Sequence, residues 1–497
     1  MHPFLANSDS TSTTDWGTVL AWLTVFSGWI YFVFIISLVI MVLLRKREPS
    51  EALGWSLAIV FLPLIGPLFF LLFGITRVPR RLRRKLAHRE AYGSTFELPD
   101  SFYEREKPFR TGYPSNHWGK LGQMLESLGE TPRHGGNDVT FYNEGRDAFE
   151  EAARVIDAAE HHIHIELFIL RQDKVGKRLI QRLIEKIRQG VEVRLIVDAM
   201  GSPASWRTVN AIRRAGGEAA TFSLLLTHRF TPNLRTHRKL IVCDGQTAFF
   251  GGMNVGTEYL GRRGAHGRDW YDLAVRIRGP AVWDLQLMFL EDWDFASGKF
   301  LDDLAYFPQP IGTADAPVQI ITGGPDAQPN PIRKAFFGAF TQAEKRIVVS
   351  TPYLVPDMAL REALMTASLS GVEVHIITQS SPPDSYLVYY CAQSFIEEFL
   401  AGGIRVSVYT PGMMHAKSVV VDGEWAMIGT ANLDNRSMFL NFEQMAIMDG
   451  KEEVQELETE LNRLIEQSTE LQLEAVQNRS RLQELLVAGA RLFAPLV

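Results

Sequence analysis

The sequence predicts an α/β protein in which two tandem αβα sandwich units, related by a pseudo-twofold axis, follow an N-terminal transmembrane hairpin. Three observations lead to this prediction. Two long apolar stretches stand near the N-terminus, and one pattern of polar residues occurs twice at a fixed offset. Segments typical of strands and of helices alternate around each copy of that pattern. With 497 residues, 46% of them hydrophobic, the chain is long enough to bury several cores.

Composition excludes several classes of protein. A charged share of 22% and an ordinary number of glycines and prolines exclude a disordered or fibrous chain. Two cysteines, Cys243 and Cys391, are too few for a disulfide framework or a cysteine-rich zinc module. The net charge of −6 provides no general attraction to nucleic acid, so a nucleic-acid partner is disfavoured.

The N-terminal region, residues 1–76, contains two uncharged stretches, 17–44 and 53–75. Each is long enough to cross the ~30 Å hydrocarbon core of a bilayer. The first is too long for a secretory signal and has no basic residue before it. We therefore predict two transmembrane segments. Because Pro63 and Pro67 interrupt the second stretch, a kinked or re-entrant segment is the alternative.

Basic residues flank the apolar stretches unequally. Three lie between them, at 45–47, and seven lie in the run 77–89, which contains no acidic residue. The two apolar stretches predict a multi-pass protein. Because basic residues are retained on the cytoplasmic side, the imbalance predicts that its large soluble part is cytoplasmic. The linker 77–116 that carries the basic run is also suited to binding anionic membrane lipids.

An internal repeat organises the remaining chain. Residues 237–254 read HRKLIVCDGQTAFFGGMN and residues 415–432 read HAKSVVVDGEWAMIGTAN, with every matched position offset by 178 residues. Shorter matches upstream, such as GVEV and AGG, keep the same order in both halves. We therefore predict two copies of one unit, residues 117–310 and 311–497.

Each unit alternates helical and strand patterns. In the first unit the predicted elements are helix 145–160, strand 162–170, helix 176–189, strand 191–197 and helix 204–215. This alternation predicts a sheet covered by helices on both faces. Asp244 and Asp422 each precede a glycine between two apolar runs, which indicates hairpin turns. Regularly spaced leucines in 451–494 predict helices that pack on the second unit.

The repeated pattern supplies the candidate site. In a strand, residues i and i+2 point to one face, so the histidine and the lysine of each copy project together. The candidate residues in the repeat are His237, Lys239, Asp244, Asn254, His415, Lys417, Asp422 and Asn432. The two aspartates either shape their turns or touch substrate, and the residues alone leave both readings open. No cofactor is indicated, and a metal ion is disfavoured because a neighbouring ammonium group opposes a bound cation.

Such a set of side chains suits a phosphate diester. Lysine and asparagine donors can stabilise the negative charge that spreads over the phosphoryl oxygens in the transition state. One imidazole can attack phosphorus while the other supplies a proton to the leaving alkoxide. Arg235, Arg436 and Ser437 flank the two motifs and either contact lipid phosphate or form structural salt bridges.

The two copies of H-x-K-x4-D-x6-G-[GT]-x-N resemble the paired HKD motifs of the phospholipase D superfamily. Within it the chain resembles the bacterial cardiolipin synthases over nearly its full length, in stretches such as NLRTHRK, STPYLVPD and GTANLDNRSMFLNFE. The resemblance implies phospholipase D-like units and a metal-independent transphosphatidylation through a phosphohistidine, with His237 as the nucleophile. It also implies that Asp269 orients His237 and that Glu443 orients His415, as catalytic carboxylates on the second ring nitrogen.

The resemblance implies a function as well. The expected reaction transfers a phosphatidyl group from one phosphatidylglycerol to another, giving cardiolipin and glycerol, in the bacterial inner membrane. The alternatives are a phospholipase D that hydrolyses, or a transferase with another acceptor such as phosphatidylethanolamine. A non-catalytic membrane scaffold is the alternative from another class. The sequence leaves open whether the chain forms a homo-oligomer.

Overall fold

The structure is a computed structural model that describes most of the chain. The described residues are 16–45, 49–74, 98–222, 234–260, 270–327, 329–380 and 384–497. The basic run 77–89 and the predicted site residue Asp269 lie outside them. The chain divides into two compact units, Met1–Arg77 and Val78–Val497, and each is described by itself.

The N-terminal unit consists of one long helix and two short ones. Helix α1 (Trp16–Arg45) contains the apolar stretch Leu20–Arg45, which by length and composition can cross a membrane. Helices α2 (Pro49–Phe61) and α3 (Ile65–Phe69) follow, and a π-helical turn, Phe70–Gly74, ends the described part. Within the described ranges, α1 is the one helix that is long and apolar enough to span.

We predicted that the second apolar stretch, residues 53–75, forms one segment across the membrane. In the structure this stretch is divided between α2 and α3. At ~1.5 Å per residue, the 13 residues of α2 extend about 20 Å, which is short of the ~30 Å core. Pro63 cannot donate the next helical hydrogen bond, and Leu64 has a φ of 70°. A Cβ on Gly66 would lie 1.9 Å from the Ala58 carbonyl oxygen, so α3 packs directly back against α2. The stretch is therefore kinked, and its two possible membrane arrangements, spanning or re-entrant, stay predictions.

The larger unit contains both copies of the repeat. Its described helices are α4 (Asp100–Glu106), α5 (His117–Ser127), α6 (Gly145–Ala158), α7 (Lys174–Arg188), α8 (Ser205–Ala215), α9 (Ala281–Ser297), α10 (Pro331–Gln342), α11 (Met358–Leu369), α12 (Tyr386–Ala401), α13 (Asn435–Phe439), α14 (Lys451–Glu466), α15 (Leu473–Gln477) and α16 (Arg481–Arg491). The five elements predicted for the first unit are confirmed, with ends that shift by a few residues.

The strands of this unit are mostly short and buried. The described strands are β1 (His134–Tyr142), β2 (His162–Leu167), β3 (Glu192–Asp198), β4 (Glu218–Phe222), β5 (Arg235–Thr236), β6 (Lys239–Cys243), β7 (Thr247–Gly251), β8 (Trp270–Tyr271), β9 (Ala274–Arg278), β10 (Ala316–Gly323), β11 (Arg346–Ser350), β12 (Leu354–Val355), β13 (Glu373–Gln379), β14 (Arg405–Tyr409), β15 (Met413–Met414), β16 (Ser418–Val421), β17 (Trp425–Gly429), β18 (Leu433–Asp434), β19 (Asn441–Met448) and β20 (Ser468–Glu470).

One large sheet joins the two halves. Among the described residues its order is β1-β9-β7-β6-β2-β3-β4 in the first half and β10-β19-β17-β16-β11-β13-β14-β20 in the second. Corresponding strands occupy corresponding places, so the two repeats fold alike. The halves meet where β1 pairs with β10 in antiparallel fashion. This arrangement is the pseudo-twofold relation that the repeat predicted.

Helices cover both faces of the sheet, which confirms the predicted sandwich. On the face shared by both halves, α9 and α14 pack in one core that includes Trp283, Trp293, Leu457 and Leu461. On the opposite face, α6 to α8 cover the first half and α10 to α12 cover the second, each group over its own core. The C-terminal helices pack on the second half, with β20 between α14 and α15.

Helix α5 belongs to the core of the second half, although it lies in the predicted first unit, 117–310. Its buried side chains Trp118, Leu121 and Leu125 pack beside α10. The Trp118 ring stacks on Trp425 of the second half, with ring centroids 5.8 Å apart. The sheet of the first half therefore begins at β1, and α5 links the two halves through packing.

Candidate active site

A backbone hydrogen bond from the opposite half anchors each motif histidine. Strand β5 runs parallel to β19, and the His237 N–H donates to the Phe442 carbonyl oxygen at 2.9 Å. In the same way β15 runs parallel to β8, and the His415 N–H donates to the Tyr271 carbonyl oxygen at 2.8 Å. These exchanges bring the start of both motifs to the junction between the halves. There the two imidazoles lie close enough for His237 to lower the pKa of His415.

Glu443 holds the ring of His237. The Nδ1 atom of His237 lies 3.0 Å from both carboxylate oxygens of Glu443. Three further side chains donate to this carboxylate: Thr430 Oγ1 at 2.6 Å, Ser437 Oγ at 2.9 Å and Asn441 Nδ2 at 3.3 Å. The carboxylate has no solvent exposure. With Nδ1 bound to an acceptor, the Nε2 atom is left with the lone pair.

Asp272 holds the ring of His415. Its Oδ2 lies 2.7 Å from His415 Nδ1, and its Oδ1 accepts from the Leu273 N–H at 2.8 Å. The ring of Trp270 also contacts the imidazole, with centroids 5.2 Å apart. The carboxylate is buried. Asp272 therefore occupies, on the second histidine, the place that Glu443 occupies on the first.

These contacts correct the predicted pairing of carboxylates and histidines. The resemblance led us to expect Glu443 on His415, but Glu443 lies on His237. Asp269 was expected on His237 and lies outside the described residues. The reason is the strand exchange: β19 follows the second motif in sequence but pairs with β5, which carries the first. Each histidine therefore receives its carboxylate from the other half.

Sequence reasoning missed several residues of the site. They are Asp272 as a histidine partner, and Thr430 and Asn441 as donors to Glu443. Asp272 stands three residues beyond Asp269, and local sequence offers no means of choosing between the two. The signal is the pairing of β8 with β15, which places Asp272 directly beside His415. Ser437 was noted only as a flanking residue, whereas its hydroxyl binds Glu443.

Both motif lysines are buried beside the histidines. The Nζ of Lys239 donates to the His237 carbonyl oxygen at 2.5 Å, and the Nζ of Lys417 donates to the His415 carbonyl oxygen. Lys417 Nζ also lies 2.7 Å from His415 Nδ1. Burial lowers the pKa of Lys239 to about 7 and that of Lys417 to about 8. A bound anion would favour the charged form of both lysines.

Burial also keeps both imidazoles neutral. It lowers the pKa of His237 to about 4, although the Glu443 carboxylate opposes this shift. Burial and the Lys417 ammonium group hold the pKa of His415 well below its usual range. At neutral pH each ring therefore has one nitrogen with a lone pair, which a nucleophile or a general base requires.

The two carboxylates differ in charge. Burial alone would raise the pKa of Glu443, but the interactions with His237, Lys239 and Thr430 outweigh it, and the pKa is lowered. Burial raises the pKa of Asp272 to about 7, against the opposing effect of Lys417. Near neutral pH Glu443 is ionised, whereas Asp272 is close to the midpoint of its titration and is protonated in about half of the molecules. The pseudo-twofold symmetry of the backbone thus does not extend to the protonation states of these two carboxylates.

The side chains of the two motif asparagines form hydrogen bonds with neighbouring groups. Asn254 Oδ1 accepts from the Ile169 N–H at 3.1 Å, and its Nδ2 donates to the Tyr259 hydroxyl at 2.7 Å. Asn432 Nδ2 donates to Asp434 Oδ2 at 3.1 Å. Each amide nitrogen carries two hydrogens, so the contact described here occupies one of them.

The two motif aspartates shape turns away from the histidines. Asp244 and Asp422 have φ values of 52° and 56°. The Asp244 carboxylate accepts three backbone N–H groups from residues 160–162, and the Asp422 carboxylate accepts three from residues 344–346. Asp244 follows β6 and His237 precedes it, so the two lie roughly 20 Å apart along the strand. Of the two readings left open by the sequence, the structure supports turn formation.

The described residues of this site form no cluster of potential metal ligands. Among the residues that the structure describes, no group of three or more histidine, cysteine, aspartate or glutamate side chains could hold a metal ion. The reacting groups offered by the chain are instead two neutral imidazoles, two buried lysines and two carboxylates of unequal pKa. Their arrangement suits acid–base and nucleophilic chemistry at phosphorus.

The fold and the paired motifs define a phospholipase D-like protein. A family described as "Cardiolipin synthase, PLD-like domain" matches residues 153–293 and 337–465, and one described as "Phospholipase_D-nuclease N-terminal" matches residues 29–74. The fold is similar to the crystal structure of phosphatidylserine synthase from Haemophilus influenzae Rd KW20. The TM-score is 0.59 and the sequence identity 16%, covering 72% of this chain and 95% of that one.

Relatives with similar sequences show to which family within this class the chain belongs. The chain is 34% identical over 474 residues to a cardiolipin synthase of Geobacillus kaustophilus, covering 93% of this chain and 92% of the relative. It is 33% identical over 489 residues to a cardiolipin synthase of Alkalihalophilus pseudofirmus, covering 97% of this chain and 96% of the relative. The chain belongs to the cardiolipin synthase family.

Proposed function

We propose that this protein transfers the phosphatidyl group of one phosphatidylglycerol to a second, giving cardiolipin and glycerol. The observation that carries the proposal is the pair of buried imidazoles, each held at Nδ1 by a carboxylate of the opposite half. The names of relatives that align over almost the whole chain support the same reaction.

In the first step His237 Nε2 attacks the phosphorus of the donor lipid. The bond between phosphorus and the glycerol oxygen breaks, and a phosphatidyl group remains on His237. The ionised Glu443 stabilises the positive charge that develops on the ring. This difference between the two carboxylates supports His237, rather than His415, as the nucleophile.

His415 supplies the proton for the leaving glycerol. The proton retained by the Asp272–His415 pair provides its source, because Asp272 has a pKa raised to about 7. As His415 Nε2 gives a proton to the alkoxide, Nδ1 takes one from the Asp272 carboxyl, so no isolated charge forms on the buried ring. The step leaves neutral His415 and an ionised Asp272.

In the second step the acceptor lipid reverses this proton movement. A terminal hydroxyl of the second phosphatidylglycerol gives its proton to His415 and attacks phosphorus. The bond between phosphorus and His237 Nε2 breaks, and cardiolipin leaves. Lys239 and Lys417 stabilise the phosphoryl oxygens in both steps, and the remaining amide hydrogens of Asn254 and Asn432 would add to this stabilisation.

A membrane setting fits this reaction, since α1 can cross a bilayer. We place the protein in the bacterial inner membrane with its catalytic unit in the cytoplasm. A second apolar stretch that folds back, rather than spanning, would put residues 45–47 and the run 77–89 on the same side. All ten basic residues would then be cytoplasmic, in agreement with the charge rule.

Incubation of the full-length protein with labelled phosphatidylglycerol alone tests the proposal. We expect labelled cardiolipin and free glycerol in equal amounts, without nucleotide and in the presence of EDTA. His237→Ala serves as the inactive control. Phosphatidic acid as the main product would indicate a hydrolase, a requirement for CDP-diacylglycerol another class of transferase, and no turnover a scaffold.

A further inference from the structure

Two arginines from opposite halves lie beside the histidine site and take no part in the reaction described above. Arg235 stands on β5, two residues before His237, and its side chain is 3% exposed. Arg436 lies in α13 next to Ser437, whose hydroxyl binds the carboxylate partner of His237. Residues two apart on a strand project to the same side, so Arg235 shares the face of His237.

Asn441 lies between these arginines. It is paired with Arg235 in the register of β5 and β19. Its side-chain oxygen accepts from Arg436 Nη2 at 3.4 Å, and its amide donates to Glu443 at 3.3 Å. Asn441 thus adjoins one arginine from each half, Arg436 through its side chain and Arg235 through strand pairing.

Burial opposes the charge of both arginines. Burial and repulsion from Arg436 lower the pKa of Arg235, and Asp198 opposes this shift. Burial also lowers the pKa of Arg436, against the effects of Asp434, Asp198 and Glu443. Asp198 is itself partly engaged, because its Oδ1 accepts from the Met200 and Gly201 N–H groups. Two cations brought together in a buried place repel each other, and an anion bound between them relieves that repulsion. Guanidinium groups match the oxygens of a phosphodiester particularly well.

The spacing matches the acceptor lipid. Positions two apart on an extended strand are separated by about 7 Å. In cardiolipin, three glycerol carbons separate the two phosphodiesters, a span of comparable length. When the reacting phosphorus lies on His237, the other phosphodiester can therefore reach the neighbourhood of Arg235.

We propose that Arg235 and Arg436 bind the non-reacting phosphodiester of the acceptor lipid and so select an anionic acceptor. This inference rests on the proposed phosphatidyl transfer and names the chemistry by which the acceptor is recognised. The ligand group is a phosphodiester monoanion next to a free glycerol hydroxyl. Neutral alcohols, including water and glycerol, lack this group and bind only at the histidines.

A competition between two soluble acceptors tests the proposal on the full-length protein. The donor is phosphatidylglycerol, and the acceptors are glycerol and glycerophosphoglycerol, which carries the phosphodiester without acyl chains. Transfer to labelled glycerol gives labelled phosphatidylglycerol, and transfer to glycerophosphoglycerol gives a cardiolipin headgroup with one pair of chains. The measured quantity is the ratio of the two transfer rates at equal acceptor concentration.

The variants are Arg436→Gln, Arg436→Lys and Arg235→Gln, with Arg207→Gln as the matched control. Arg207 is exposed and stacks on Trp206, with its guanidinium carbon 5.3 Å from the ring centroid. We expect wild-type protein to prefer glycerophosphoglycerol, and Arg436→Gln to reduce that preference about tenfold to a hundredfold, since a charged hydrogen bond is lost. Arg436→Lys keeps the charge but not the planar fork, so we expect an intermediate ratio.

The outcomes separate the two proposals. A wild-type protein that uses both acceptors equally, or an Arg436→Gln variant that loses both transfers in the same proportion, would overturn the acceptor site and leave the transfer reaction standing. A wild-type protein that forms no cardiolipin from the phosphatidylglycerol in the same mixture would refute the proposed function, and the acceptor site with it. Because Arg235 is buried, thermal unfolding of each variant is measured alongside, and the less buried Arg436→Gln variant decides the matter if Arg235→Gln does not fold.

Discussion

Replacing Glu443 by glutamine tests whether His237 needs an ionised partner to act as the nucleophile. The Glu443 carboxylate is fully buried and only accepts, from His237, Thr430, Ser437 and Asn441. A glutamine offers one oxygen and one NH2 group to the same four donors. Hydroxyl groups can rotate and accept instead, but an imidazole that faces the NH2 group must accept at Nδ1. Its proton then moves to Nε2, the nitrogen that should attack phosphorus.

The size of the effect follows from the lost interaction. A hydrogen bond to a charged group contributes about 1.5–3 kcal/mol, which corresponds to about 10-fold to 150-fold in rate. The loss falls on the step in which positive charge develops on His237. We therefore expect Glu443→Gln to lower kcat on the order of 100-fold, with little change in KM, because lipid binding does not depend on that charge.

Rapid mixing with labelled phosphatidylglycerol, followed by acid-free quenching and intact-mass analysis, measures the rate at which the phosphatidyl adduct forms. The matched control is Glu458→Gln, whose carboxylate binds Arg346 at the strand ends opposite the histidines. The control should react at the wild-type rate. Adduct formation at the wild-type rate in Glu443→Gln, or an equal loss in both variants, would refute the role of the ionised partner.

Three further predictions follow from the same geometry. His237→Ala should abolish the adduct and all turnover, whereas His415→Ala should slow transfer about 10²–10⁴-fold and still show an adduct by mass; the reverse pattern would exchange their roles. The rate of adduct formation should be highest between about pH 4, below which His237 is protonated, and about pH 7, above which Asp272 loses its proton; a rate that does not fall between pH 6 and 9 would contradict this source of the proton. Asp244→Ala should lower the free energy of unfolding by about 2–4 kcal/mol through the loss of three backbone contacts, while Asp244→Asn, which tolerates the same turn, should cost less; loss of activity without loss of thermal stability would indicate a chemical role instead.

Local patterns in the sequence sufficed for much of this protein. The offset of 178 residues identified the duplicated unit, and alternating helix and strand patterns predicted the sandwich. The motif spacing placed the histidine and the lysine of each copy on one face. The long apolar stretch predicted α1, which by length and composition can cross a membrane. These features depend on residues close together in the chain, where side-chain periodicity and turn chemistry act directly.

The tertiary structure decided the partners and the charges. Sequence distance assigned Glu443 to His415, but β19 pairs with β5, so Glu443 lies on His237. It also showed that the second apolar stretch is kinked next to Pro63, since only packing shows how closely Gly66 approaches the preceding helix. The unequal pKa values of Asp272 and Glu443 arise from burial and from donors that converge from separate strands. Contacts between distant parts of the chain and exclusion of water are properties of the folded protein, and no local pattern encodes them.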